Sequence, residues 1–155
     1  METYYTEFSD LIAAWPDPVL LTDLGGGTFV TIMLHPGYIE AKWSGHLTAD
    51  DVITASKVYL ALLRNSDSPK LLNDKTGATG DWSEANDWLE FEWFPKAVKA
   101  GLRCVAHVYS NNMFSMLSAR DLYTRSIPDL QTYNFQDRSA AEEWLLACKA
   151  SGEAS

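Results

Sequence analysis

The sequence predicts an α/β domain: a single-layer, mixed but mostly parallel sheet of about four to six strands, opened by an antiparallel hairpin and flanked by about four helices. Three observations predict it. Two β-rich runs, 28–34 and 38–43, meet at the reversal His35-Pro36-Gly37, which is the signature of a hairpin. Helical and strand patterns then alternate to the end of the chain, the order that parallel βαβ units produce. The largely apolar run 102–109, bounded by turn residues, reads as a central strand buried on both faces.

In chain order, residues 1–27 form an N-terminal extension with a short helix over 7–14, ended by Trp15-Pro16, and a short strand over 19–23. Gly25-Gly26-Gly27 is a turn. A phosphate-cradling glycine loop would open a helix, and this one opens a strand, which argues against a phosphate site. The main domain spans 28–149. Its hairpin ends at Ser44-Gly45. Thr48 caps the first long helix, and Asp50 and Asp51 favour its positive end. Val52, Ala55, Val58, Tyr59, Leu62 and Leu63 form one apolar helix face.

A loop over 65–69 leads to a short strand, 71–74, and then to a flexible connection, 75–81, containing Gly77 and Gly80. Ser83 and Glu84 start a helix running toward Ala100 and stopped by Gly101. Pro95 interrupts it, which predicts a kink or two short helices. Ser110-Asn111-Asn112 caps a helix over 113–125, which Pro128 closes. A strand over 131–135 and a helix over 139–148, with Trp144 and Leu145 inward, complete the fold. Residues 150–155 form a small, polar tail expected to be disordered. There is no internal repeat and no linker, so the 155 residues make one domain.

The net charge of −9 opposes association with nucleic acid or an anionic membrane. No stretch approaches the roughly 20 apolar residues needed to span a bilayer. The N-terminus lacks the basic start and apolar core of a signal peptide. Two cysteines, Cys104 and Cys148, make no disulfide framework and fit a reducing compartment, with Cys104 a small buried hydrophobe. Cytoplasm is the expected location. No two histidines stand at metal-ligand spacing, and no cofactor motif is present, so neither metal nor cofactor is expected.

Ligands of open α/β sheets bind beyond the carboxyl ends of the strands. Two such exits are polar: Asn73, Asp74 and Thr76 with Asp81 and Trp82, and Ser110 with Asn111. Together they would supply donors, acceptors and an aromatic wall for a small polar or anionic ligand. Each residue type is also a common turn former or helix cap. Asp74 and Lys75 are adjacent on a strand and so point to opposite faces. Arg120 shares an apolar helix face with Met113, Met116, Leu117 and Tyr123; it either snorkels to the rim or meets a carboxylate or an anionic ligand. His107, inside an apolar strand, reads as a hydrogen-bonded core residue. Trp82, Trp88, Phe91, Trp93 and Phe94 crowd one short region. One helix face cannot bury them all, which suggests either a second apolar surface, a dimer interface carried by Trp88, Phe91 and Phe94 or an apolar ligand groove, or a chain redirected by Pro95 so that one core buries them all.

The segments Leu71-Leu72-Asn73-Asp74, Gly80-Asp81-Trp82-Ser83-Glu84-Ala85, Glu92-Trp93-Phe94-Pro95, His107-Val108-Tyr109-Ser110, Phe135-Gln136-Asp137 and Glu143-Trp144-Leu145, with the element order above, resemble the SpoIIAA-like branch of the STAS superfamily. That branch is also compared with CRAL-TRIO lipid-binding domains. Within it the chain resembles an uncharacterised bacterial group, over residues 29–146. The resemblance implies the fold and a non-enzymatic regulatory or interaction role, as a homodimer or with a partner protein. The phosphorylation motif of STAS regulators would follow the central strand. There this chain reads Asn73-Asp74-Lys75-Thr76-Gly77, without the serine pair. It is also short for the large lipid cavity of a CRAL-TRIO domain. Three functions follow in order: interaction module, binding domain for a small ligand at the strand exits, and an enzyme using Asp74 and His107.

Overall fold

In a computed structural model, which describes residues 9–110 and 127–149, the reversal at Pro36-Gly37 follows from its composition. His35 pairs with Tyr38, and Gly37 sits at φ 94°, a left-handed conformation that a Cβ opposes. The turn joins β2 (Thr28–His35) to β3 (Tyr38–His46). β1 (Val19–Thr22) lies antiparallel on the outer side of β2, and its Val19 is buried in the core. This part of the N-terminal extension is therefore a sheet strand.

β4 (Lys70–Thr79), β5 (Cys104–Tyr109) and β6 (Gln131–Phe135) add in chain order, each parallel to its predecessor. The result is the expected mixed sheet, with six strands in the order β1-β2-β3-β4-β5-β6.

The helices among the described residues are α1 (Ser9–Ala14), α2 (Ala49–Leu63), α3 (Asn86–Trp88), α4 (Phe94–Lys99) and α5 (Arg138–Ala147). α2 opens on a capping box in which Thr48 and Asp51 satisfy each other's backbone N–H groups. Asp137 caps α5 by accepting from the Ala140 N–H. Strand order is monotonic, so successive right-handed crossovers bring the connecting helices onto one face of the sheet. α2 and the helical run 83–99 accordingly share one core with Val30, Ile32, Ile39, Ala41, Leu71 and Val105. α5 follows the last strand and folds back on the opposite face, against Leu72, Cys104, Ala106 and Val108.

Three expectations are corrected. The connection over 75–81 is largely strand: β4 continues to Thr79, and Gly77, Ala78 and Thr79 pair with Ser44, Gly45 and His46. Gly77 permits this, since a Cβ there would lie 3.1 Å from the Trp43 carbonyl oxygen. For the same reason β3 does not end at Ser44-Gly45 but runs to His46.

Pro95 does not break the run: helical turns continue through it. The run passes from a 3-10 turn (Ser83–Ala85) through α3 to a π-turn (Leu89–Trp93) and into α4. Proline has no N–H, and its ring collides with the carbonyl four residues back. The wider π-turn makes room, with the Phe94 N–H bonding to the Leu89 carbonyl, and Pro95 takes an early position in α4 where no donor is required.

The third correction concerns the cysteines. Cys104 is fully buried as expected, but it is joined to Cys148 as a disulfide. The start of β5 and the end of α5 meet although they are 44 residues apart, a proximity that spacing along the chain does not reveal. The cysteine content therefore no longer argues for a reducing compartment. Among the described residues, no helix is long and apolar enough to cross a membrane.

Candidate ligand site

Alternation along β4 divides its polar residues between two environments. Leu71, Asn73 and Lys75 face α2 and the helical run, whereas Leu72 and Asp74 face α5.

On the α5 side the polar groups neutralise one another. Arg138 donates from Nη1 and Nη2 to the two carboxylate oxygens of Glu40, at 2.5 and 2.9 Å, and from Nη1 to Asp74 at 2.9 Å. His35 lies 2.7 Å from Glu40, and the Tyr38 hydroxyl donates to Glu142 at 2.6 Å. Burial alone would raise the pKa of Glu40; hydrogen bonds from Arg138 and His35 outweigh it and hold the carboxyl below the usual range. Asp74 is likewise held down against its burial by the Thr76 N–H and hydroxyl and by Arg138. This cluster is a closed ion-pair network, and it accounts for both Asp74 and Thr76.

The opposite side is not closed. An aromatic-walled cavity of about 50 Å³ lies between the sheet, α2 and the helical run. Trp43, Trp82, Trp93 and Phe94 form much of its wall, and Asn73, Lys75, His107 and Tyr59 reach it.

Lys75 is only 5% exposed, and its ammonium has no carboxylate within ion-pairing distance among the described residues. Its close partner among the described residues is the Trp82 ring, 5.3 Å from Nζ to the centroid. Burial lowers its pKa to about 8. The Tyr59 hydroxyl, on a residue 3% exposed, is buried without a hydrogen-bond partner among the described residues, and burial raises its pKa, so the phenol keeps its proton.

A hydrogen-bond relay sets the tautomer of His107. The Trp43 indole N–H can only donate, and it meets Asn73 Oδ1 at 2.5 Å. The Asn73 amide is thereby oriented with Nδ2 toward His107 Nδ1, 3.3 Å away. Nδ1 therefore accepts, and the proton of the neutral ring is on Nε2. Burial, with the Lys75 ammonium nearby, keeps the pKa of His107 well below its ordinary value. The cavity thus holds an ammonium, a phenol hydroxyl and an imidazole N–H. Its one carboxamide oxygen is already taken by Trp43. The lining has surplus donors and no carboxylate, so it suits an acceptor-rich, anionic guest.

The remaining residues singled out in the sequence fall as follows. Asn73 and Trp82 line the cavity. Asp81 is exposed and accepts from the Ser83 N–H at 3.0 Å, a local turn. Ser110 is half-buried at the end of β5. Asn111 and Arg120, with the helix expected over 113–125, lie outside the described residues. Phe94 is buried in edge contact with Trp93 and faces the cavity, not solvent. Trp88 packs partly buried against the same core. Phe91 is 67% exposed. Asp74 and His107 occupy opposite faces of the sheet, so they cannot act together as the enzyme reading required.

The site also sits elsewhere than the strand-exit rule implied. That rule describes sheets whose strand order reverses, opening a crevice between helices on opposite faces. Here the order never reverses between β3 and β6, and the cavity lies beneath the sheet. Sequence reasoning missed Lys75 and Tyr59 as site residues. Lys75 did carry a signal: it alternates with Leu71 and Asn73 on a strand that continues past Asp74.

A hairpin-led sheet in chain order, with two helical connections on one face and a closing helix on the other, is a SpoIIAA-like fold. Among solved structures the chain is similar to an uncharacterised protein of the DUF3478 family with a SpoIIAA-like fold, from Shewanella loihica PV-4. The two share 21% identity at a TM-score of 0.50, over 75% of this chain and 91% of the other, a likeness that speaks for the fold alone. No protein-family model and no curated protein matches the sequence.

Proposed function

We propose that this chain is a small-ligand-binding module, and that its ligand is a small carboxylate or carbonyl compound held in the cavity beneath β3, β4 and β5. The observation that carries this reading is Lys75: a buried ammonium with no carboxylate partner among the described residues, on the wall of an aromatic cavity. An isolated buried charge is costly, and proteins ordinarily pair it. A site that binds an anion has reason to keep it unpaired. The volume of about 50 Å³ has room for about three to five atoms the size of water. That matches a carboxylate with one further carbon or two.

The test is thermal denaturation and native mass spectrometry of the full chain with formate, acetate, glycolate and glyoxylate. The expected result is a stabilising shift with at least one of them, lost in Lys75→Met and weakened in Tyr59→Phe. No shift and no retained mass with any of the four would refute the reading.

A second reading rests on Phe91. Its exposed ring stands beside Pro95, Val98, Ile127 and Pro128, an apolar surface on which a second copy of the chain could sit. In this reading the module acts as a homodimer in a regulatory role without catalysis. Sedimentation at high micromolar concentration tests it: Phe91→Ser should shift a dimer toward monomer, and a wild-type monomer would exclude it.

A further inference from the structure

We infer that Lys75 holds its ligand covalently, as a reversible imine with the carbonyl carbon of a small aldehyde or 2-oxo acid. The inference rests on the ligand-site reading above and adds the chemistry of the bond. Three features of the site support it.

The first is the environment of the amine. Lys75 is 5% exposed, has no carboxylate on the cavity lining, and packs against the Trp82 ring. A desolvated lysine in an apolar pocket gives up its proton easily and becomes a nucleophile near neutral pH. With a pKa of about 8, roughly a quarter of Lys75 is neutral at pH 7.5, against roughly a thousandth of an ordinary lysine.

The second is that no described residue competes for the amine. A salt bridge would hold Lys75 in its protonated form. The carboxylates nearest in sequence and in the sheet, Asp74 and Glu40, face the other side and are bound to Arg138.

The third is the set of donors. Imine formation moves a proton to the carbonyl oxygen and releases that oxygen as water. The neutral amine attacks the carbonyl carbon, the C–N bond forms, and a nitrogen proton passes to the oxygen to give a carbinolamine. Loss of water, with the second nitrogen proton, then leaves C=N. No oxidant or reductant is needed. The Tyr59 hydroxyl and the His107 Nε2–H belong to the same lining, and both are neutral donors able to stabilise the developing oxygen charge. Among the described residues, the titratable groups facing the cavity from α2, β4 and β5 are thus Tyr59, Lys75 and His107, with no acid among them.

The experiment uses the full chain and glyoxylate, an aldehyde carrying its own carboxylate. Glyoxylate and cyanoborohydride are added at pH 7.5, and the modified lysines are mapped by peptide mass spectrometry against time. The expected result is one carboxymethyl group on Lys75, formed about a hundred-fold faster than on the exposed Lys42, Lys99 and Lys149. Excess acetate, which can occupy the cavity but cannot form an imine, should slow it. The mapping is done on the unaltered chain, so it does not depend on any variant folding. Lys75→Met should abolish the fast phase and leave the slow surface labelling unchanged. If acetate stabilises the protein but labelling spreads over surface lysines and spares Lys75, the covalent inference is wrong and the binding reading stands. If neither acetate nor glyoxylate binds and Lys75 stays unmodified, both fall.

Discussion

Replacing Lys75 by methionine should make this protein more stable, an unusual outcome for a buried position. Methionine keeps the length and most of the volume of the side chain and discards the charge. The cost of burying the ammonium follows from its proton affinity. A pKa of about 8 in the folded state, against 10.4 for an unperturbed lysine, corresponds to about 3 kcal/mol of destabilisation at pH 7. The lost contact with the Trp82 ring returns about 1 kcal/mol of that, leaving a net gain of about 2 kcal/mol. For a domain of this size the melting temperature should rise by about 4–8 °C.

The sign of the pH dependence is determined by the same shift. Between pH 8 and about 10.4 the unfolded chain holds more protons at this position than the folded chain, so the wild type gains stability as pH rises. The cost is fully present below pH 8 and is gone near pH 10.4. Tyr59 and Tyr38, both raised by burial, cost stability near the top of that window as their unfolded forms ionise at about pH 10. This loss is common to wild type and variant and cancels in their difference, and His107 is already neutral throughout. Urea unfolding of wild type and Lys75→Met from pH 6.5 to 10.5 measures the difference. The methionine variant should lead by about 2 kcal/mol at pH 7 and lose that lead by pH 10.5. A variant less stable at pH 7, or a gap that does not change with pH, would refute the claim that Lys75 is an unpaired buried charge.

Three further predictions concern the frame around the site. Arg138→Met strands Glu40 and Asp74 without their cation and should cost about 3 kcal/mol at pH 7 by urea unfolding, somewhat below a fully buried pair because Arg138 is one-third exposed. In the wild type this stabilisation is present above the ordinary carboxylate range and is lost as pH falls through the depressed values, so the deficit should shrink in acid; a deficit constant from pH 7 to 3 would contradict it. Trp43→Phe removes the donor that orients Asn73, and nitrogen NMR of His107 should show the single Nε2–H tautomer become a mixture. Gly80→Ala places a Cβ against the Leu47 backbone at φ 111° and should cost at least about 2 kcal/mol; a melting temperature equal to wild type would contradict the close approach of these strands.

Much of the frame was legible along the chain because local rules govern it. The Pro36-Gly37 turn, the Thr48 cap, the apolar face of α2 and the alternation of strand and helix each depend on residues a few positions apart. The end of β4 was not legible in this way. Lysine, glycine and alanine over 75–79 have weak strand preference, and they become strand because Ser44-Gly45-His46 offers a parallel partner that Gly77 can approach. Pro95 was correctly seen as a disturbance, but the π-turn that absorbs it depends on packing of Leu89 and Trp93 into the core.

By itself, then, the sequence determined the hairpin-led, mixed α/β sheet and the opposite facing of Asp74 and Lys75, since periodicity and turn chemistry are properties of neighbours in the chain; its SpoIIAA-like character was legible as a resemblance of motifs. Only the tertiary structure decided which of those two faces is closed and which holds a cavity. Arg138 reaches Glu40 across 98 residues, Cys104 meets Cys148 across 44, and Trp43 orients Asn73 across 30. Those contacts are set by strand order and by the face on which each helix packs. They engage Glu40 and Asp74 on one side of the sheet and leave Lys75 without a carboxylate among the described residues on the other.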